Sequence, residues 1–206
     1  MQIHSNSIQD GAPIGAAFAF GRPDVETHIA LSDNRSPHLS WTEAPEGTAS
    51  FALLCIDPDV PTVGDDVNQE GRVVPAELPR TDFVHWVMVD VPASCTVLEE
   101  GGCGEGVVAR GKQEPPGPAG ARQGVNDYTG WFASDADMSG TYKGYDGPCP
   151  PWNDELVHHY TFTVYALDVP RLQVDGDFTA EDVKAAMEGH VLASASLTGT
   201  YSNRLT

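Results

Sequence analysis

The sequence predicts a mainly β fold, because turn-forming residues are abundant and most of the patterned segments have strand composition. Glycine and proline contribute 21 and 16 of the 206 residues, which favours turns and short strands over long helices. Three segments, 50–57, 82–91 and 158–167, are rich in apolar, aromatic and β-branched residues, as strands are. The chain length suits a single domain, 1–206, with a hydrophobic core of its own.

The N-terminal part is expected to form short strands and loops ahead of a central strand. Residues 14–21 (IGAAFAFG) predict a first strand. Residues 50–57 (SFALLCID) are apolar on both faces, which is typical of a strand in the middle of a fold. This strand is expected to stop in the sequence 57–61 (DPDVP), where two prolines interrupt it and hold Asp57 and Asp59 at a fixed offset.

The second strand, 82–91 (DFVHWVMVDV), lies between two long connections. Residues 62–81 form a Gly- and charge-rich excursion that is expected on the surface. Residues 95–143 form a second long loop, and its part up to residue 130 has little periodicity, so it is expected to be mobile. Alternation along the strand predicts one face with His85, Val87 and Val89 and an opposite face with Val84, Trp86 and Met88.

The third strand, 158–167 (HHYTFTVYAL), follows a stiff loop and opens with polar rings. Residues 147–151 (GPCPP) place three prolines in four residues, so the shape of this loop is set before any ligand arrives. Alternation puts His158 and Tyr160 at the start of an apolar face, where polar side chains need partners or a ligand. A rigid loop that leads into such a strand is the outline of a small-molecule site.

One helix is predicted, at residues 178–187. Thr179 is positioned to be its N-cap, because Asp182 follows three residues later and acidic residues occupy the first turn. Its buried stripe is expected to contain Val183, Ala186 and Met187. Residues 197–201 are expected to form a last short strand or tail.

The charge and the terminal sequence exclude several classes of function. A net charge of −19 argues against nucleic acid and anionic membrane surfaces as partners, since both require a basic face. The N-terminus lacks the basic and apolar parts of a signal peptide, and no apolar run is long enough to span a bilayer, so a cytoplasmic protein is expected. The four cysteines are then expected to be thiols, and the spacing of Cys95 and Cys103 matches no usual zinc pattern.

Polar residues stand at the ends of all three predicted strands. Asp57 and Asp59 end the first, His85 lies near the start of the second, and His158 and Tyr160 open the third. If the three strands are neighbours in one sheet, these side chains converge. Each has a structural alternative: Asp57 and Asp59 as turn formers, the histidines as satisfied core residues, and Tyr160 as a sheet aromatic with a wet hydroxyl.

These motifs together resemble the phosphatidylethanolamine-binding protein (PEBP) family, and in particular its bacterial Raf-kinase-inhibitor-like branch. The resemblance rests on residues 57–61 (DPDVP), on His85-Trp86 in a hydrophobic strand, and on 147–151 (GPCPP) followed by 158–160 (HHY), in the order the family has them. It covers roughly residues 14–201. It implies a β-sandwich around a large antiparallel sheet, with a few peripheral helices, one of them C-terminal, and a small pocket at one end.

The resemblance also implies a set of pocket residues. Two departures concern the ligand: the excursion before His85 is longer than in compact members and contains no tyrosine for the pocket, and the long insertion at 100–143 is expected to roof the site, with Tyr128 and Trp131 as candidate lid residues. The ligand-binding residues carried over by motif are Asp57, Asp59, His85, Gly147, Cys149, Pro150, His158 and Tyr160.

The chemistry of these residues favours a binding protein for a small anionic or zwitterionic group, such as phosphate, carboxylate or a phospholipid head group. The imidazoles and loop N–H groups are expected to donate to the anionic end, and the carboxylates to accept from an ammonium end. The alternative is a hydrolase or lyase in which an Asp/His pair works as acid and base in the same pocket, although G-x-S-x-G, HExxH and a phosphate-cradling glycine loop are missing.

The expectations for cofactors and partners are modest. A metal site of Asp57, Asp59, His85 and His158 fits zinc or manganese ligand chemistry, but the resemblance implies a metal-free pocket, so neither a metal nor another cofactor is expected. Cys149 is expected to be a structural thiol and not a nucleophile. The resemblance makes regulation of a protein partner and a homodimer conceivable, with the partner unidentified.

Overall fold

The fold is built around a five-stranded antiparallel sheet. The structure, a computed structural model, describes residues 1–205. The mainly β fold predicted from the sequence is confirmed. In chain order, the elements are β1 (Gln2–His4), a 3₁₀ turn (Ala16–Phe18), β2 (Gly21–Asp24), β3 (His28–Leu31), β4 (Leu39–Thr42), β5 (Ser50–Pro61), β6 (Arg80–Pro92), β7 (Val97–Leu98), β8 (Arg122–Gln123), α1 (Tyr128–Trp131), β9 (His158–Leu167), α2 (Ala180–Ala186) and β10 (Val191–Tyr201).

Two sheets form a sandwich. The large sheet has the strand order β10-β9-β5-β6-β8, and a three-stranded sheet, β1-β4-β7, packs against one of its faces. Trp41 of β4 meets Phe51 of β5 edge to face, with ring centroids 5.1 Å apart. Because large side chains from both sheets are fully buried between them, this layer forms the main hydrophobic core.

The other face of the large sheet is covered by α2 and the chain before it. Leu54, Val87 and Val89 of the sheet pack there against Phe178 and Val183. The predicted helix is confirmed, with Thr179 as N-cap and a capping box in which Asp182 bonds back to Thr179. The three segments predicted as main strands are β5, β6 and β9, which are neighbours in the middle of the sheet, and β9 buries mainly the face that carries His158, Tyr160, Phe162 and Val164.

One predicted terminal element is wrong, and the other is confirmed as a strand that is longer than predicted. Residues 14–21 do not form a strand: the chain makes the 3₁₀ turn, and β2 begins only at Gly21. The alanines there have little strand preference, and the turn lets Phe18 reach the core. At the other end, β10 starts six residues before the predicted 197–201 and pairs with β9 along its length, although its small residues Ala193–Ser196 give a weak strand signal.

The first main strand does not stop at its prolines. β5 continues from Asp57 to Pro61, and its pairing with β6 shifts register between Asp57 and Val60. Pro58 falls inside this irregularity, where it removes no regular ladder hydrogen bond. The strand can therefore extend past the main body of the sheet and carry the Asp-Pro-Asp sequence to the end where β6 and β9 also present polar residues.

The two long connections are both tied to the body of the protein. In the 62–81 connection Val67 and Val74 are buried, and the backbone of Val74 bridges to the chain at Asp154. The 95–143 loop contains β7, β8 and α1, and it buries Lys112, Asn126 and Tyr142. The expectation of a mobile loop up to residue 130 is therefore wrong, because buried polar and aromatic anchors fix a segment that lacks periodicity.

No helix within residues 1–205 has the length and apolar character needed to cross a membrane.

Candidate functional site

A cavity of about 260 Å³ opens where β5, β6 and β9 present their polar ends. Its floor comes from these three strands, and its sides come from the 62–81 connection, α1 and the proline loop. Both long connections thus form walls of the site, which the sequence indicated only for the second. The lining residues are Phe20, Asp57, Val60, Pro61, Gly64, Val67, Asn68, Phe83, His85, Tyr128, Trp131, Phe132, Cys149, Pro150, Pro151, His158 and Tyr160.

The structure brings most of the sequence-derived candidates together in this lining. Asp59 and Gly147 are the two candidates outside it. Tyr128, named as a lid residue, is only 4% exposed and belongs to the fixed wall, whereas Trp131 is 51% exposed at the mouth. The candidates that line the cavity are Asp57, His85, Cys149, Pro150, His158, Tyr160, Tyr128 and Trp131.

His158 is held between two carboxylates. Its Nδ1 lies 2.7 Å from Asp57 Oδ2, and its Nε2 lies 3.1 Å from Asp154 Oδ2. The imidazole is fully buried, and burial by itself lowers its pKa, but the hydrogen bonds to Asp154 and Asp57 outweigh this and raise the pKa to about 9. At neutral pH His158 is therefore an imidazolium whose two N–H groups both donate to protein acceptors.

Arg80 completes this cluster from the start of β6. Its guanidinium forms a bidentate pair with Asp154, with distances of 2.6 and 3.1 Å. Burial raises the pKa of Asp154, but the hydrogen bonds from His158 and Arg80 lower it further than that, to about 2. Two carboxylates, Asp57 and Asp154, thus face two cations, and the formal charges of this buried set cancel.

His85 reaches the cavity through a β-bulge in β6. Cys55 pairs with Trp86 and Ile56 with Val84, so His85 is the extra residue between them. The predicted division of faces is wrong for this reason: Val84 packs with Val87 and Val89, while His85 turns to the side of Trp86 and contacts Tyr160, with ring centroids 5.0 Å apart. A one-residue bulge re-aims the imidazole into the site.

The surroundings of His85 differ from those of His158. Its Nδ1 donates to the backbone carbonyl of Asp146 at 2.8 Å, and the Asp146 N–H donates to the His85 carbonyl at 3.1 Å. Burial lowers the pKa of His85, and the nearby acids only partly oppose this. His85 is therefore neutral, with its proton on Nδ1, and its Nε2 has no hydrogen-bond partner within residues 1–205.

A second buried charge cluster fixes Asp146. Lys112 Nζ lies 2.7 Å from Asp146 Oδ1, and the side-chain amides of Asn34 and Asn126 donate to the same carboxylate at 2.7 and 2.9 Å. The Asn34 and Asn126 side chains are at most 1% exposed, and Lys112 is 8% exposed. Because the carboxylate is held from three sides, the backbone of Asp146 is a rigid support for the ring of His85.

The hydroxyl of Tyr160 is a second polar atom of the floor, besides His85 Nε2, that has no hydrogen-bond partner within the described chain. Tyr160 is 1% exposed and lines the cavity, and its hydroxyl meets hydrogen-bond geometry with no group of the described chain, although the Asp57 carboxylate is near enough to help raise its pKa. Burial raises its pKa well above the ordinary value, so the group is a neutral donor. An unpaired buried hydroxyl costs free energy, on the order of 1–3 kcal/mol, which a ligand acceptor would recover.

Aromatic rings make up most of the remaining wall. Phe20 and Tyr128 are stacked with centroids 4.4 Å apart, and Phe83 meets Tyr128 edge to face at 5.2 Å. The Tyr128 hydroxyl donates to the Gly147 carbonyl at 2.7 Å, which ties α1 to the proline loop. The cavity therefore combines a polar floor with rigid apolar sides, a common design of small-molecule sites.

The two candidates outside the lining support the site from behind. Asp59 Oδ2 accepts from the N–H and from Nδ1 of His159, both at 2.8 Å, on the half-exposed side of β9. Gly147 donates its N–H to Asn34 at 2.8 Å, and a Cβ at this position would lie 2.0 Å from the Phe18 carbonyl oxygen. Glycine is needed there because the backbones are in close contact.

Cys149 lines the cavity as a protonated thiol. Burial raises its pKa to about 12, and its Sγ accepts a weak hydrogen bond from the Asn203 side chain at 3.7 Å. A thiol with so high a pKa is a poor nucleophile. Nothing in this environment activates it.

Sequence reasoning missed Arg80, Lys112, Asp146 and Asp154. A local signal existed for one of them, since Asp154 is an acid four residues before His158. Arg80, Lys112 and Asp146 lie in segments without periodicity, and their partners are distant in sequence, so no local pattern identified them. Residues 1–205 contain no group of three or more His, Cys, Asp and Glu side chains arranged to hold a metal ion.

The arrangement offers one donor and two acceptors at the floor of the cavity. The donor is the Tyr160 hydroxyl, and the acceptors are the Asp57 carboxylate and His85 Nε2. The expectation that the imidazoles donate to an anion stays a prediction; without a ligand, both N–H groups of His158 are engaged and His85 carries its proton on the far side. A ligand that meets this floor must both accept and donate hydrogen bonds.

Comparisons with known proteins agree with this architecture. A family model described as "Phosphatidylethanolamine-binding protein" matches residues 4–202. The UPF0098 protein YbhB of Escherichia coli is 33% identical over 98% of this chain and 100% of its own length, and a UPF0098 protein of Methanothermobacter thermautotrophicus is 38% identical over 82% of this chain and 83% of its own.

Solved structures give the same result. The crystal structure of Escherichia coli YbcL, described as a new member of the mammalian PEBP family, superposes with a TM-score of 0.69 at 28% identity and covers 98% of this chain and 97% of that one. A putative PEBP homologue from Chlamydia trachomatis superposes with a TM-score of 0.65 at 27% identity, covering 98% and 96% of the two chains.

Proposed function

This chain belongs to the phosphatidylethanolamine-binding protein family, and we propose that its cavity binds a small ligand through an anionic or zwitterionic group such as phosphate or phosphoethanolamine. The observation that carries the proposal is the buried hydroxyl of Tyr160, a residue that lines the cavity and whose O–H has no partner in hydrogen-bond geometry within residues 1–205. A ligand oxygen that accepts from it removes the cost of that unpaired donor. Family members are generally ligand-binding proteins, and the polar groups that line this cavity support the proposal that it is where this chain binds its ligand.

Charge balance favours a zwitterion over a bare anion. Asp57 and His158 of the floor pair with each other, and Asp154 and Arg80 outside the lining complete a set of two acids and two cations with no net positive charge. The whole protein has a net charge of −19, which repels multiply charged anions at long range. A ligand with an ammonium group avoids that repulsion, and the aromatic faces of Phe83 and Trp131 offer cation–π contacts along its path.

The alternative function, acid–base catalysis by an Asp/His pair, receives less support from these contacts. A general acid or base must exchange a proton near neutral pH with a group within hydrogen-bond reach. In the Asp57–His158 pair both ring nitrogens face carboxylates, and the pKa of His158 is raised to about 9. His85 Nε2 is the remaining proton acceptor of the floor, and without a nucleophile beside it binding is the better-supported role.

Regulation of a protein partner is compatible with this site. Trp131 is half exposed at the mouth and lines the same cavity as the buried floor. A ligand that fills the cavity would contact this side chain and change the surface that a partner meets. Ligand occupancy could in this way control a protein contact, as the resemblance to Raf-kinase-inhibitor-like proteins suggested.

Isothermal titration calorimetry with variants of two neighbouring acids tests the proposal. Phosphoethanolamine is expected to bind the wild-type protein more tightly than inorganic phosphate, ethanolamine or acetate does. Asp57→Asn, which removes the carboxylate of the floor, is expected to weaken binding at least tenfold. Asp59→Asn is the matched control, because Asp59 lies two residues away, outside the lining, and bonds to His159.

The proposal fails if none of the four ligands binds the folded wild-type protein, or if both variants bind as it does. Near-ultraviolet circular dichroism establishes that each variant is folded. Turnover of a panel of phosphate and carboxylate esters, lost in Asp57→Asn and kept in Asp59→Asn, would instead support the enzyme.

A further inference from the structure

The hydrogen-bonding groups at the floor of the cavity restrict the protonation state of what binds there, an inference that rests on the proposed function. Tyr160 supplies one donor, whereas Asp57 and His85 Nε2 can only accept while His85 is neutral. A fully deprotonated oxyanion such as a phosphate dianion also only accepts. Placed on this floor, it would satisfy the tyrosine and confront two further acceptors, which is repulsive.

The groups around His85 explain why it does not already carry a second proton. Asp57 faces it from β5, Tyr160 from β9, Asp127 and Tyr128 from the start of α1, and Asp146 from the loop before the prolines, while His158 of β9 lines the same cavity. The acids favour an imidazolium, but burial outweighs them and lowers the pKa of His85. The cation among these neighbours, His158, is neutralised by its own two carboxylates.

The ring of His85 cannot escape this role by turning over. Its Nδ1 donates to the Asp146 carbonyl, and Asp146 is fixed by Lys112, Asn34 and Asn126. A flipped ring would place Cδ2 at that carbonyl and lose the hydrogen bond, and moving the proton to Nε2 without a flip would leave the Nδ1 lone pair against the carbonyl oxygen. His85 Nε2 therefore remains a hydrogen-bond acceptor until the ligand brings a proton or causes His85 to take one from solvent.

We propose that the cavity binds its anion together with one proton, which is shared between His85 Nε2 and an oxygen of the ligand. The site thereby selects protonatable oxyanions, namely phosphate and phosphomonoesters, over sulfate and sulfate esters of the same shape. Either the ligand arrives as its monoanion and donates its O–H to Nε2, or the dianion binds and His85 takes a proton from solvent. The balance is the same: one proton is taken up for each dianion that leaves solution.

Calorimetry in two buffers with different ionisation enthalpies measures this proton directly. Because the second ionisation of a phosphomonoester has a pKa of about 6, the ligand at pH 7.5 is mostly the dianion, and binding of phosphoethanolamine is expected to take up about one proton. Its affinity should then fall about tenfold for each pH unit between 7 and 8.5. The sulfate ester of ethanolamine, a much stronger acid of the same shape, is expected to bind at least tenfold more weakly at pH 7.5.

The variant His85→Gln tests the assignment of the proton to this residue. A glutamine amide can donate to a ligand oxygen without taking up a proton, so the preference for phosphate over sulfate and the pH slope are both expected to shrink. His4→Gln is the control, since His4 is an exposed histidine of β1, and it should behave as the wild type does.

Equal binding of the phosphate and sulfate esters with no proton uptake would overturn this inference and leave the proposed binding function intact. Failure of either ester to bind the folded protein would overturn both. If folded His85→Gln keeps both the preference for phosphate over sulfate and the fall of affinity with pH, His85 is not the residue that shares the proton.

Discussion

His158 and His85 lie on the same cavity floor, on β9 and β6, and their surroundings are opposite. His158 has a carboxylate on each ring nitrogen and its pKa is raised to about 9, whereas His85 has a backbone carbonyl on one nitrogen and its pKa is lowered. Both are buried. The difference teaches that burial does not mark the functional imidazole: the one with an uncommitted nitrogen can still respond to a ligand, and the other is a structural cation.

The largest expected effect comes from breaking the set around His158. Asp154→Ala removes the carboxylate that bonds both His158 and Arg80, and it leaves two buried cations with only Asp57 between them. We expect a loss of about 3–5 kcal/mol in the free energy of unfolding, measured by urea denaturation at pH 7.

Asp168→Ala is the matched control for that variant. Asp168 also pairs with a histidine, His190, at 2.8 Å, but both side chains are more than 40% exposed. Its loss should cost less than about 1 kcal/mol. If the two variants lose similar amounts of unfolding free energy, the buried charges around His158 do not stabilise the β9 side of the floor.

The sequence predicted the strands and the helix much better than it predicted the buried hydrogen bonds and ion pairs around His158 and His85. Composition and alternation identified β5, β6 and β9, since these strands are buried and their signals are local. The bulge that turns His85 into the cavity could not be predicted, because it depends on how β6 pairs with β5. Asp146 and Lys112 were missed for a related reason, as their importance comes from contacts between segments 34 residues apart that lack any repeating pattern.

The second prediction concerns the pH dependence of stability, to which His158 and His85 contribute with opposite signs. The pKa of His158 in the folded protein, about 9, lies above its unfolded value of about 6.5, so its contribution to stability is complete below pH 6.5 and is lost as the pH rises through 9. His85 has the opposite sign, because its pKa is lowered on folding: protonation of the unfolded chain below pH 6.5 favours unfolding.

NMR titration of the imidazole resonances checks this directly. The signal of His158 should stay in its protonated position up to pH 8, while the titration midpoint of His85 should lie below the ordinary value of a histidine. Urea denaturation between pH 6.5 and 9 should show the free energy of unfolding falling with rising pH, by a few kcal/mol at most. If both rings titrate with the ordinary midpoint of about 6.5, the difference in pKa between His158 and His85 is wrong.

The smallest expected effect concerns the hydroxyl of Tyr160, which lines the same cavity as the two histidines. Tyr160→Phe removes a buried donor that has no partner within residues 1–205, so the free energy of unfolding of the ligand-free protein should stay the same or rise by up to about 1 kcal/mol. Phosphoethanolamine binding should weaken by roughly fivefold to tenfold, the equivalent of one hydrogen bond.

Tyr145→Phe is the control for that variant. The buried Tyr145 hydroxyl donates to the Phe18 carbonyl at 2.6 Å, so its removal should lower the free energy of unfolding by about 1 kcal/mol without changing the affinity for phosphoethanolamine. Loss of stability in Tyr160→Phe with unchanged binding would mean that its hydroxyl serves the fold, and the donor for a ligand would then have to be sought elsewhere in the cavity wall.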